Sequence, residues 1–316
     1  MRRTAPLLLA LFLGPQSACG SSEGAPPSSA TTTPPAAALS GGGGAAPVDE
    51  ARAPFLWEVR SGERFSKLFG TMNVGVTLER ALPEAQRERL LAAETVVVEA
   101  DPASLGPNAA VQAMMLPAEQ RLSAMVSSEV WERLATELGG EVPAAALDRL
   151  RPWAVNVVFV QHWVRGHLSS APSEGMDLAI IAGARSRQQP LVFLEEAQWQ
   201  LDLIGDIPDA YFLESLAEMV GEDGEAERQI AGLVESYTRG DLPAIEAIVF
   251  DPEDMARTPE YYDLFLYRRN AAWMATLEPL LRVRGGAFVA VGLAHMLGPR
   301  GLVASLRDEG FTVSRL

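Results

Sequence analysis

The chain has 316 residues, and its 41 acidic against 26 basic side chains give a formal net charge of −15. A surface so acidic repels nucleic-acid phosphates and anionic headgroups, and no basic cluster relieves it, which excludes nucleic acid as a partner. The single cysteine excludes a disulfide within the chain.

Arg2 and Arg3 precede a short apolar run over residues 7–14, and Gln16-Ser17-Ala18 leads into Cys19. A charged start, a short apolar stretch and small residues before a cut read as a secretory signal segment over residues 1–18, too short to span a membrane. Cys19 stands where a bacterial lipoprotein precursor is cleaved and acylated. The segment resembles a lipobox, with Gln16 in place of the usual aliphatic residue. The protein is therefore expected to be exported and held at the bacterial cell envelope by a lipid anchor on Cys19; ordinary secretion with an incidental cysteine is the alternative. Residues 19–52 are mostly Ser, Thr, Pro, Gly and Ala without a periodic apolar face, the composition of a flexible tether. Residues 53–316 are left as one domain.

Residues 55–59 and 65–69 flank Arg60-Ser61-Gly62-Glu63 and predict a β-hairpin. A helix follows over 83–93. Thr95–Val98 is pure β-former and predicts a central strand, with Glu99 at its carboxyl end. From 111 to 240 the pattern is mainly helical: Pro117 opens a helix running to Leu138, Pro143 one to Leu150, and Pro152 a strongly apolar one through Trp163. Another helix covers 174–187. Residues 191–194 form a second buried strand, followed by Glu195. Helices are predicted over 196–204, 210–219, 225–239 and 241–249, then one long helix or a helical hairpin over 259–284.

The last thirty residues close the domain as a βαβ unit. Residues 287–291 form a buried strand, Gly292-Leu293-Ala294-His295 turns the chain, Leu302–Asp308 is a short helix, and 311–315 is the final strand. The fold class is α/β (α+β): a small mixed, partly parallel sheet flanked by helices, with a large helical insertion between the strands at 95–98 and 191–194.

Asn73, Glu99, Glu195 and His295 each follow a strand, and in a parallel sheet such ends share one rim, where ligand sites gather. His295 is flanked by Gly292 and Gly298, which allow close backbone approach. A half-buried histidine bonded to a carbonyl is the alternative. Glu99 and Glu195 end apolar runs, where a carboxylate must be paired, metal-bound or exposed. Glu196 competes with Glu195 as a plain early-turn acid, and Asp101 reads as a turn or cap residue. Arg269, inside an apolar helix beside Asn270, either neutralises a glutamate, holds an anionic group or makes a structural ion pair. His162 and His167 do not share a helix face and read as structural.

The segments LFGTMNVG, VVVEAD, GMDLAIIAGARSRQQPLVFLEEAQWQ, RRNAAWM and FVAVGLAHMLGPRGLVASLRDEGFTVSRL together resemble the TraB/GumN (TraB/PrgY/GumN) family over residues 55–316. His295 matches the histidine of the family's G-x-x-H motif, and Glu99, Asp177, Glu195, Gln200, Arg269 and Asn270 match further family positions. Asn73 stands where the family has a histidine in G-T-x-H. The resemblance implies a fold like that of ChaN-like and erythromycin-esterase-like proteins. Some animal relatives are membrane-tethered metalloproteases acting on secreted signalling proteins, and other relatives are linked to inhibition of peptide pheromone signalling.

What it implies here is a metal-dependent hydrolase, a peptidase acting on peptide or protein. Asn73, Glu99 and His295 would hold a divalent ion, with Mn²⁺, Mg²⁺ or Co²⁺ ahead of Zn²⁺ because an amide oxygen is a poor zinc ligand. Glu195 or Glu99 would act as general base, and Arg269 or Asn270 would steady the oxyanion. The alternative is a non-catalytic binding or regulatory lipoprotein that kept the pocket and lost a ligand.

Overall fold

Two strands of almost wholly apolar sequence set the frame. Thr95–Val98 reads TVVV and Ala287–Gly292 reads AFVAVG, and every residue of both is buried. A strand covered on both faces has no reason to alternate, and such runs belong inside a parallel sheet. The computed structural model, which describes residues 53–106, 108–168, 174–221 and 224–316, has both strands in the interior of a six-stranded sheet. The expected signal peptide, Cys19 and the tether to residue 52 lie outside the described residues.

The strands are β1 (Leu56–Ser61), β2 (Arg64–Thr71), β3 (Thr95–Val98), β4 (Leu191–Phe193), β5 (Ala287–Gly292) and β6 (Thr312–Arg315), in the order β4-β3-β5-β2-β1-β6. β4, β3, β5 and β2 run parallel, and β1 is antiparallel to both its neighbours. β1 and β2 form the expected hairpin through Gly62-Glu63, with Gly62 at φ +61° as a two-residue loop requires. The register sets Thr71 opposite Gly292, and Val98 opposite both Ala290 and Phe193. The carboxyl ends of four strands therefore meet on one rim.

Helices fill the connections. Glu225–Arg239 buries Ile230, Leu233, Val234 and Tyr237 at spacings of three and four, and it stops at Gly240, whose φ of +68° suits a left-handed cap. Pro152–His167 opens with proline, whose missing N–H costs nothing in a first turn, and packs along Asp209–Met219. Met176–Ser186 packs against β3 and β4, so the insertion remains attached to the sheet that brackets it.

Several expectations are corrected. The chain after Pro117 does not enter a helix; Ser128–Leu138 begins only where Ser127 accepts a hydrogen bond from the Val130 N–H. The helix after Pro143 is a single turn, Ala144–Leu147. β4 is a half-buried edge strand, because no strand lies beyond it in the order. The closing unit is a crossover, yet β6 does not pair with β5: β2 and β1 lie between them, and β6 completes the far edge. Residues 259–284 form one nearly continuous helical run, interrupted by a π-helical turn at Asp263–Tyr267.

Candidate functional site

Each parallel strand hands on a polar residue soon after its last apolar one. Glu99 directly follows β3, Glu195 follows β4, Asn73 follows β2, and His295 sits in the one-turn helix Leu293–Met296 after β5. That turn can lie against β2 because Gly70 has no side chain. A Cβ there would come within 2.5 Å of Leu293 Cδ1 and 3.2 Å of Leu293 Cα.

Arg269 draws these residues together from outside the sheet. It begins the helix Arg268–Val283 just after the π-helical turn, in which the Arg268 N–H bonds to Asp263 O five residues back. Its side chain is 1% exposed. Nη2 donates to Glu99 Oε2 at 2.5 Å and to Glu195 Oε1 at 2.6 Å, and Nε lies 3.0 Å from both Glu195 oxygens. Nη1 donates to Phe265 O and to His295 Nε2, at 3.2 and 3.1 Å. All five guanidinium hydrogens are thus engaged. Trp273, one turn further along the helix, donates to Glu195 Oε2 at 2.9 Å, and Gly292 N–H donates to Glu99 Oε1 at 2.7 Å.

The network fixes the state of His295. Asn270 donates both amide hydrogens to backbone carbonyls, those of His295 and Arg300, so its Oδ1 must accept. His295 Nδ1 lies 2.7 Å from that oxygen and is therefore the protonated nitrogen, leaving the Nε2 lone pair toward Arg269. Burial, and then the guanidinium charge, hold the imidazole well below its ordinary pKa. Burial also pushes Glu195 up, outweighing the opposing charge of Arg269. For Arg269 itself burial acts downward, but Glu195 and Glu99 override it and keep the guanidinium charged.

Asn73 joins the rim by another route. Its Nδ2 donates to Asp177 Oδ2 at 2.7 Å, and its Oδ1 accepts from the Asp177 backbone N–H at 3.0 Å. Asp177 lies in the first turn of Met176–Ser186, whose N-cap position is Gly175. With no side chain at Gly175, Asn73 serves as the cap from a distant strand end. Asp177 retains some exposure, yet its Oδ1 and Thr71 Oγ1 are shut off from solvent and have no well-formed hydrogen bond other than the hold of the Thr71 hydroxyl on the carboxylate. Burial and then the charge of Glu99 push Asp177 up to about 7, against the pull of Asn73, Thr71 and Arg269.

The structure therefore brings Glu99, Glu195, Arg269, Asn270 and His295 into one cluster, with Asn73 bonded beside it to Asp177, on which the charge of Glu99 acts. The donor set does not fit a metal ion in this arrangement. His295 Nε2 and 3.9 Å-distant Glu99 both face Arg269, His295 Nδ1 is protonated, and Asn73 Oδ1 holds the Asp177 N–H. Among the described residues, no group of three or more histidine, cysteine, aspartate or glutamate side chains is arranged to hold one. Arg269 and Asn270 likewise have no hydrogen left to offer an oxyanion; here they hold the glutamates and the imidazole in place.

The competing residues fall out as structural. His167 stacks on Trp163 and bonds to its carbonyl, and His162 lies between Glu137 and Glu141. Asp101 caps the turn Pro102–Ser104, and Glu196 is exposed at the N-cap position of Ala197–Gly205. Three contributors were not assigned from the residues alone. Trp273 was detectable, lying four residues after Arg269 on the same helix face. Asp177 reads locally as an ordinary first-turn acid, and Thr71 as a strand residue.

The sequence model of the TraB/PrgY/gumN family matches residues 55–315, from the hairpin to the last strand. The chain belongs to this family. As a TraB/PrgY/gumN member it is 24% identical over 249 residues to the protein named "Uncharacterized protein YbaP" of Shigella flexneri, covering 78% of this chain and 89% of that one. The Escherichia coli (strain K12) protein of the same name is similar to the same extent, 24% over 249 residues. No solved structure matches the chain.

Proposed function

We propose that this TraB/PrgY/gumN member is an envelope hydrolase acting on peptide-type bonds, with its reacting groups at the Thr71–Asp177–Glu99 side of the rim. One observation carries the reading: Asp177 Oδ1 and Thr71 Oγ1 are shut off from solvent with no partner but each other, beside a cluster whose other polar atoms are satisfied. A purely structural cluster gains nothing from buried oxygens so poorly met, since an unmet buried polar group costs about 1–3 kcal/mol. A water or substrate group would satisfy them.

Asp177 is suited to pass a proton, since a group balanced near neutrality both accepts and donates one readily. In the proposed reaction its carboxylate takes a proton from water as the water oxygen bonds to the carbonyl carbon. It returns that proton to the departing amine nitrogen as the carbon–nitrogen bond breaks. Burial, and then the charge of Glu99, keep Asp177 near neutrality, and Arg269 keeps Glu99 in place.

The test is turnover of a panel of fluorogenic peptides and aryl esters. The wild-type protein is expected to cleave peptides, Asp177→Asn to lose about 10²–10⁴-fold, and Glu196→Gln to be unaffected. A second reading, a non-catalytic binding protein, is favoured by the full internal engagement of Arg269 and Asn270. Absence of turnover by the wild type across the panel would establish that reading instead. Envelope attachment through Cys19 is part of the proposal, resting on the charged, apolar and small-residue order of residues 2–19. It predicts incorporation of labelled palmitate that Cys19→Ala abolishes.

A further inference from the structure

We infer that Arg269 is the resident cation of this centre, occupying the place the family resemblance assigns to a divalent metal. Two of the three expected ligands, Glu99 and His295, converge on the guanidinium, and Glu195 joins them. Glu99 Oε2 lies 2.5 Å from Nη2, Glu195 Oε1 2.6 Å from Nη2, and His295 Nε2 3.1 Å from Nη1, with Phe265 O closing the set.

The surroundings fit a guanidinium better than a sphere. The rings of Trp273 and Phe265 lie 4.9 and 5.3 Å from its central carbon, an aromatic lining that attracts a flat, weakly hydrated cation and supplies no metal donor. Glu195 meets it side-on, with Nε and Nη2 both directed at the carboxylate, a forked pairing that lysine or a metal would not reproduce. The guanidinium is charged at every accessible pH, so an incoming divalent ion would meet a fixed positive charge in a buried site. Asn73 fits this account: where a third metal donor would be needed, the amide instead caps a helix through Asp177.

The inference does not depend on the hydrolase reading, since its test measures binding rather than turnover. Protein stripped with EDTA is equilibrated with Mn²⁺, Co²⁺ or Zn²⁺, and uptake is measured by elemental analysis and calorimetry. The wild type is expected to show no uptake that His295→Gln or Glu99→Gln removes. Metal retained equally by both variants lies elsewhere and leaves the inference standing. Arg269→Met, which empties the position, is expected to bind Co²⁺ at least tenfold more tightly than the wild type. If that variant does not fold, Arg269→Lys keeps the charge and should remain metal-free. One equivalent bound by the wild type and weakened tenfold or more in His295→Gln overturns the inference, as does a folded Arg269→Met that gains no affinity.

Discussion

Asn73 and Asp177 are joined by two hydrogen bonds, one from the amide to the carboxylate at 2.7 Å and one from the aspartate N–H to the amide oxygen at 3.0 Å. A single side chain thus caps the helix Met176–Ser186 and fixes its acid against the end of β2. The arrangement is tight, because a Cβ at Gly175 would come within 2.8 Å of Asn73 Oδ1.

Asn73→Ala should therefore destabilise the fold by about 1–3 kcal/mol, the cost of leaving buried polar partners unmet. Urea denaturation monitored by circular dichroism measures it. A change within a few tenths of a kcal/mol would show that the pair contributes nothing to stability.

A second prediction concerns pH. Asp177 is raised to about 7 from an ordinary 3.8, so the folded protein holds a proton that the unfolded chain releases. Its contribution is fully present below about pH 4 and is lost as pH rises toward 7, with a slope of at most about 1.4 kcal/mol per pH unit. His295 is depressed from 6.5, so its contribution is present above that value and is lost as pH falls. The two slopes oppose each other in the window just below about pH 6.5. Asp177→Asn should uncover the histidine slope, with stability rising with pH across this window relative to the wild type. Unchanged pH dependence in that variant, followed by thermal unfolding across a buffer series, would contradict the assignment.

The packing of His295 gives a third. Gly70→Ala would drive a methyl group into Leu293, including its Cα at 3.2 Å, where backbone has to shift. The expected cost is about 1–3 kcal/mol, with displacement of the His295 ring. Loss of the downfield imidazole Nδ1–H resonance in NMR, against the wild type, is the readout. A retained resonance together with unchanged stability would show that β2 and this turn are not in close contact.

Much of the frame was legible because it depends on local pattern. TVVV and AFVAV are read as buried strands from their own residues; β3 falls on its predicted bounds, and β5 runs one residue further, to Gly292. Strand order was not legible, since the same closing pattern fits a β6 beside β5 or one separated from it by two strands. Proline misled at Pro117, where the chain turns and the helix waits for the Ser127 cap. At the site, polar residues after strand ends identified Glu99, Glu195 and His295. The partnership of Asn73 with Asp177 spans 104 residues, and no local spacing encodes it.

The π-helical turn at Asp263–Tyr267 makes the centre sensitive to chain length as well as to residue identity. Removing one residue from it would advance the following helix by about 100°. Arg269, Asn270 and Trp273 would swing away from the rim together, with their identities intact. A short deletion there would silence the whole constellation at once, whereas point changes could only erode it piece by piece.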